Sequence, residues 1–162
     1  MKLSEHFNLR EFTRSASVPR HIVTPTYYQL KQMKTLCRVL LEPIRTQAGV
    51  SCRINSGIRD EAIYEALKLR GYNPSKTSDH FYQSPTNPIG AGAADITFDI
   101  SKAELKAVYK WAIKNLKGKY NQILYYPDEH FIHVALSRRY SYKFVRNSTK
   151  QTGIKQKNGR FA

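Results

Sequence analysis

Two short apolar runs near the end of the chain, residues 122–126 and 131–136, are separated only by the tight turn Pro127-Asp128-Glu129-His130. That spacing predicts an antiparallel hairpin. A hairpin has little stability of its own in water and needs other elements to cover one face. Helical patterns supply the cover. Leu30, Met33, Cys37, Leu40, Leu41 and Ile44 recur at steps of three and four, which places them on one buried helix face. This helix is expected to begin at Thr24-Pro25, with threonine as cap and proline in the first helical position. Pro43 should kink or end it. Ser101-Lys102-Ala103-Glu104 is a capping box for another helix, with Leu105, Val108, Ala112 and Leu116 inward and Gly118 as its stop. Shorter helices are expected at 9–15 and 60–69, strands at 50–55 and 95–98, and a long loop at 71–92. The expected fold is α+β, a small, mostly antiparallel sheet packed against helices.

The chain has 162 residues, 41% of them apolar, enough for one domain with a real core. No apolar run approaches the roughly 18 residues needed to cross a bilayer, and the polar start lacks the apolar stretch of a secretory signal. Synthesis in a cytoplasm is therefore expected. Cys37 and Cys52 lie in apolar patterns and read as two buried thiols, with no Cys-x-x-Cys pair for zinc or redox work. The formal net charge is +15 and it is uneven: after Glu129 there is no acidic residue, while eight basic ones follow. Such a field favours polyanions, whether nucleic acid, anionic lipid or an anionic cell wall. From about residue 147 the pattern fades into polar and basic residues, so residues 1–146 are expected to form the domain and 147–162 a basic flexible tail. Before that tail, Tyr140, Tyr142 and Phe144 alternate with polar residues, consistent with one more edge strand.

Of the five histidines, His80 opens the long loop, while His130 and His133 flank the last strand's start. Asp95 closes the loop. Imidazole and carboxylate are ligand types that zinc takes, and three protein ligands leave a fourth position for water. On an extended strand His133 and Ala135 share one face and Ile132 and Val134 the other, so His133 can face a cleft while its neighbours enter the core. A hydrogen-bonded strand histidine, a turn-capping aspartate and an exposed loop histidine explain the same three residues without a metal.

Ser78-x-His80 followed by Gly92-Ala93-Ala94-Asp95-Ile96 resembles the signature of the zinc D-alanyl-D-alanine carboxypeptidase-like family, which includes bacterial dipeptidases and many phage cell-wall lysins. Ser56-Gly57-Ile58-Arg59 is similar to the segment that precedes its first ligand, and Phe131-Ile132-His133-Val134 to the strand bearing its last. The stretches Leu3-Ser4-Glu5-His6-Phe7-Asn8-Leu9-Arg10-Glu11-Phe12 and Leu41-Glu42-Pro43-Ile44-Arg45 resemble the phage-encoded branch. The resemblance runs from about residue 3 to 137, with the elements in the expected order. It implies one zinc ion held by His80, Asp95 and His133, with Arg59 stabilising charge on the carbonyl oxygen and Ser78 bonding substrate or a ligand. Without the resemblance, Arg59 reads as a salt-bridge partner of Asp60 or Glu61, and Ser78 as a loop cap.

Two departures stand out. Six residues usually separate the family's first histidine from its aspartate; here there are fourteen. The extra residues can bulge as a lid if both ends stay fixed. The family commonly carries glutamate three residues before the last histidine; here that position is His130, with Glu129 one residue earlier. Either can serve as general base. The implied activity is hydrolysis of a peptide bond of peptidoglycan, as carboxypeptidase or endopeptidase, with the basic tail held to the anionic wall. Reaching the wall would then require lysis, export or delivery by a virion. Two alternatives stay open: a basic nucleic-acid-binding protein using the tail and Tyr140, Tyr142 and Phe144, and a zinc fold that binds the wall without catalysis. A zinc deaminase lacks its Pro-Cys-x-x-Cys here.

Overall fold

A computed structural model describes residues 1–82, 90–140 and 151–155. Helix α1 spans Leu9–Thr13 and α2 Tyr27–Leu36. The cap of α2 is Thr26 rather than Thr24: its hydroxyl accepts from Gln29 N–H, and the Gln29 side chain returns to the Thr26 N–H. Pro25 therefore precedes the helix instead of opening it. Pro43 neither ends nor simply kinks the next stretch. A π-helical turn, Cys37–Leu41, widens the coil so that Glu42 N–H reaches Cys37 O, and α3 then runs Glu42–Ala48 with Pro43 in its first turn. A proline has no N–H to give to the preceding turn, so a wider turn just before it removes the need for one.

Strand β1 is Cys52–Ser56, α4 is Glu61–Leu69 capped by Asp60, β2 is Ala93–Phe98, and α5 is Lys102–Asn115 with the Ser101–Glu104 capping box in place. The hairpin forms as β3, Tyr120–Tyr126, and β4, Phe131–Leu136. A fifth strand, β5 at Gln151–Ile154, lies within the stretch expected to be tail and runs parallel to β3. Tyr140 closes a 3-10 turn at Arg138–Tyr140 and not an edge strand; Tyr142 and Phe144 lie outside the described residues. The sheet order is β1-β2-β4-β3-β5, antiparallel except for the last pair. The α+β class is as expected.

One face of the sheet carries Ala94, Ile96, Phe98, Ile123, Tyr125, Ile132, Val134 and Leu136, and these join Met33, Leu36, Leu40, Ile44, Leu105 and Val108 in a single core. Full burial of each such aliphatic chain stabilises by about 1.5–3 kcal/mol before entropy is counted. Both cysteines are free; Cys37 is buried and Cys52 half-buried. Burial pushes the Cys52 thiol up to about 12, so neither serves as a nucleophile at neutral pH.

Gly57 joins β1 to the helical half. A Cβ on it would stand 2.4 Å from the Phe12 carbonyl oxygen and 2.5 Å from the Phe12 Cα, both backbone atoms. The same approach lets Ile58 N–H bond Phe12 O at 2.9 Å. Gly57→Ala is therefore expected to cost about 1–3 kcal/mol, the usual range for overpacking. Urea unfolding should show a lower midpoint at unchanged slope.

Candidate metal centre

The face of the sheet away from the core holds the unusual residues. In the β2–β4 ladder Asp95 is paired directly with His133. Paired residues project to the same side, and Leu124, paired with His133 from β3, completes that row. His133 Nδ1 lies 2.8 Å from Asp95 Oδ1. The flanking Ile132 and Val134 point into the core, so strand alternation places His133 as expected.

His80 arrives from another direction. It sits in a 3-10 turn, Asp79–Phe81, that Ser78 caps by accepting from His80 N–H at 3.3 Å. The turn is tied to the end of β1: Arg59 N–H donates to His80 O at 2.7 Å, and His80 Nδ1 meets Gly57 O at 2.7 Å. A carbonyl only accepts, so Nδ1 carries the hydrogen and Nε2 keeps its lone pair. That lone pair is aimed at the Asp95–His133 row, with Nε2 3.4 Å from Asp95 Oδ1. A carbonyl behind a histidine is the usual second partner of a metal ligand.

Fourteen intervening residues do not separate the feet of the loop. Asp79 Oδ1 accepts from Ala91 N–H at 2.9 Å and Asp79 O from Gly92 N–H at 3.1 Å. Tyr82, fully buried, donates to Ala93 O at 2.9 Å. Gly90 at φ 100° permits the close passage: a Cβ there would stand 3.0 Å from Tyr82 N. Asp79, which is buried, is itself held by Asn121 Nδ2 at 3.1 Å and by the half-buried Arg138 through Nη2 at 3.2 Å. The crest, residues 83–89, where a lid was expected, lies outside the described residues.

One donor atom from each of His80, Asp95 and His133 lies within 4.8 Å of the others, so the three can hold a metal ion. The donor chemistry fits. A neutral His80 Nε2 and an ionised Asp95 oxygen are both acceptors, and only a cation or an added proton between them relieves their repulsion. Tetrahedral coordination at about 2.1 Å puts neighbouring ligand atoms roughly 3.4 Å apart, close to the His80–Asp95 separation. Burial pushes the Asp95 carboxyl up, but with an added proton on the imidazole pair the His80 charge and hydrogen bonds from both rings outweigh it and hold the group well below the usual carboxylate range. Asp95 is therefore ionised at neutral pH, as a ligand must be.

A cleft of about 580 Å³ opens over these residues. Arg59, Ser78 and Glu129 line it, as do Tyr72, Tyr126 and Phe131. Arg59 is not paired with Asp60, whose carboxylate is taken by His21 at 2.5 Å and by the α4 N-terminus. Its Nε is buried without a partner, and burial lowers its pKa while Asp95 pulls it back up. Glu129 is exposed at the rim. His130 is not among the lining residues. It adopts φ 57°, its carbonyl accepts from Thr97 Oγ1 at 2.6 Å, and its ring nitrogen meets Phe98 O at 3.3 Å. Of the two candidate bases, only Glu129 borders the cleft.

Sequence reasoning assigned no role to Gly57, Asp79, Arg138 or Tyr126. Tyr126 shares the His133 face, stacks on Phe131 at 4.3 Å and lines the cleft. Burial, with the charges of Asp95 and Glu129, pushes its phenol up to about 12 and keeps it a hydrogen-bond donor. Alternation from Leu124 was the available signal. Compared with family models, curated proteins and solved structures, the chain matches none.

Purified protein dialysed against divalent zinc should retain one ion per chain by elemental analysis. His133→Ala and Asp95→Ala should each lower metal affinity more than the roughly 10–100-fold typical of losing a supporting partner. Equal metal in wild type and both variants would show that these side chains form no metal centre.

Proposed function

We propose that the protein is a zinc-dependent peptidase that hydrolyses a peptide bond of bacterial peptidoglycan. The observation that carries this reading is the convergence of His80, Asp95 and His133 at the floor of a cleft whose rim holds Arg59 and Glu129. Two imidazoles and one carboxylate, with a cleft beside them, match a zinc site that keeps a position open for chemistry. The ordered sequence motifs add the substrate class.

When bound, zinc supplies Lewis acidity and lowers the pKa of water towards about 7. The remaining work falls to side chains of this chain. The Glu129 carboxylate accepts the proton of the attacking water on an oxygen and returns it to the leaving nitrogen. The Arg59 guanidinium, always protonated, donates to the carbonyl oxygen as negative charge develops there. Its buried Nε has no partner among the described residues. Tyr72, Tyr126 and Phe131 form walls that hold the peptide and restrict water. Among the described residues no helix is long and apolar enough to cross a membrane.

The test is digestion of purified peptidoglycan, with released fragments read by mass spectrometry. Wild type should release peptides, and Glu129→Gln should slow release by about 10²–10⁴-fold. Arg59→Ala should lower kcat by roughly 10²–10³-fold, whereas His130→Ala should retain most activity. Full activity in Glu129→Gln would place the base elsewhere. Metal-loaded wild type that binds walls without cutting them would be a binding module, and retardation of nucleic acid in place of wall binding would favour the other alternative.

A further inference from the structure

The cleft continues past its rim. Ala16 and Asn55, which border it, also border a second groove of about 800 Å³ running along α1 and β1. Three arginines line this groove: Arg10, Arg14 and Arg53. Arg10 lies in the first turn of α1, and Arg14, four positions on, is the extended residue that follows the helix. Arg53 pairs with Thr97 across the β1–β2 ladder. Thr97 lies two residues from Asp95 on the same face, about 7 Å along the strand. Arg53 thus rises from the same face of the sheet as the metal-binding residues, one strand over.

All three arginines are exposed, and among the described residues none forms an ion pair. The groove's one acid, Glu11, uses a carboxylate oxygen to accept Asn8 N–H at 2.7 Å. Three cations around one trough repel each other, and an anion between them relieves that repulsion. Each presents a planar fork suited to a carboxylate. The floor is β1, which stands at the sheet edge and pairs only with β2 among the described residues. An extended peptide can lie along such an edge. Its alternate side chains fall on one side at about 7 Å intervals, so carboxylates two residues apart can each meet a different arginine of the groove.

We propose that this groove is a subsite for an acidic, extended stretch of peptide, with carboxylates on alternate residues, continuous with the bond presented to the metal centre. Its link to a scissile bond rests on the peptidase reading; the anion site does not. Cleavage would then favour peptides bearing carboxylates displaced from the cut bond over neutral peptides of equal length.

The test uses metal-free, full-length protein and an alternating glutamate–alanine pentapeptide, with its glutamine counterpart as control, by titration calorimetry. Wild type should bind the acidic peptide at least tenfold more tightly than the neutral one, and added salt should weaken it. The triple variant Arg10→Gln, Arg14→Gln, Arg53→Gln, checked for native circular dichroism, should lose the preference, and Arg53→Gln alone should weaken binding several-fold. Undiminished binding by the folded triple variant would overturn the subsite, as would tighter binding of inorganic polyphosphate of equal charge. If wild type binds the acidic peptide through these arginines yet never cuts wall peptides, the groove stands and the peptidase reading falls. If the triple variant cuts wall fragments as well as wild type below KM, the groove falls and the peptidase reading stands.

Discussion

The pairing of Asp95 with His133 across β2 and β4 is the constraint on which the site depends. A shift of one residue in that ladder would turn Asp95 into the core and bring a hydrophobic side chain to the cleft. The register is enforced from behind, because Ala94, Ile96, Ile132 and Val134 reach the core only in this alignment. Core packing and donor placement are therefore one choice made twice. An ionised carboxylate is kept beside two imidazoles because the apolar residues next to it have nowhere else to go.

His80 is governed differently. It comes from a short turn, and its position is imposed by backbone atoms of β1's end and of the chain just before β2. Asp79 makes that arrangement rigid. It accepts from Ala91 and Gly92 N–H at the far foot of the loop and is paired with Arg138. A largely buried pair of this kind is poor evidence for net stability, since desolvation offsets much of the attraction, but removing one partner leaves a stranded charge. Its contribution here is geometric: an insertion can lengthen the loop while its ends stay fastened.

Much of this was legible along the chain because the signals are local. The Ser101–Glu104 box, the three-and-four recurrence of residues 30–44 and the alternation around His133 each act over a few residues, and each appears in the fold. Thr26 with Gln29 was an equally local capping box, obscured by the more conspicuous Thr24-Pro25. The illegible features are those whose partners are distant. Asp79 depends on Asn121 and Arg138, and Gly57 on contact with Phe12. Nothing near His130 announces that Thr97 and Phe98 will hold it away from the cleft. β5 pairs in parallel with a strand almost thirty residues earlier, and its polar composition gives no period to read.

β5 has a consequence for the molecule's solubility. Without it, β3 would stand at the edge of the sheet, offering the backbone groups of Ile123, Leu124 and Tyr125 to any passing strand, the arrangement that seeds association between chains. Four residues and one further bond, from Lys155 N–H to Tyr125 O at 2.8 Å, close that edge. The opposite margin, β1, bears a cation on its own strand, which discourages a second copy from adding there. A chain shortened before residue 151 would thus lose a protective hem as well as basic charge, and self-association would then arise from the bared strand.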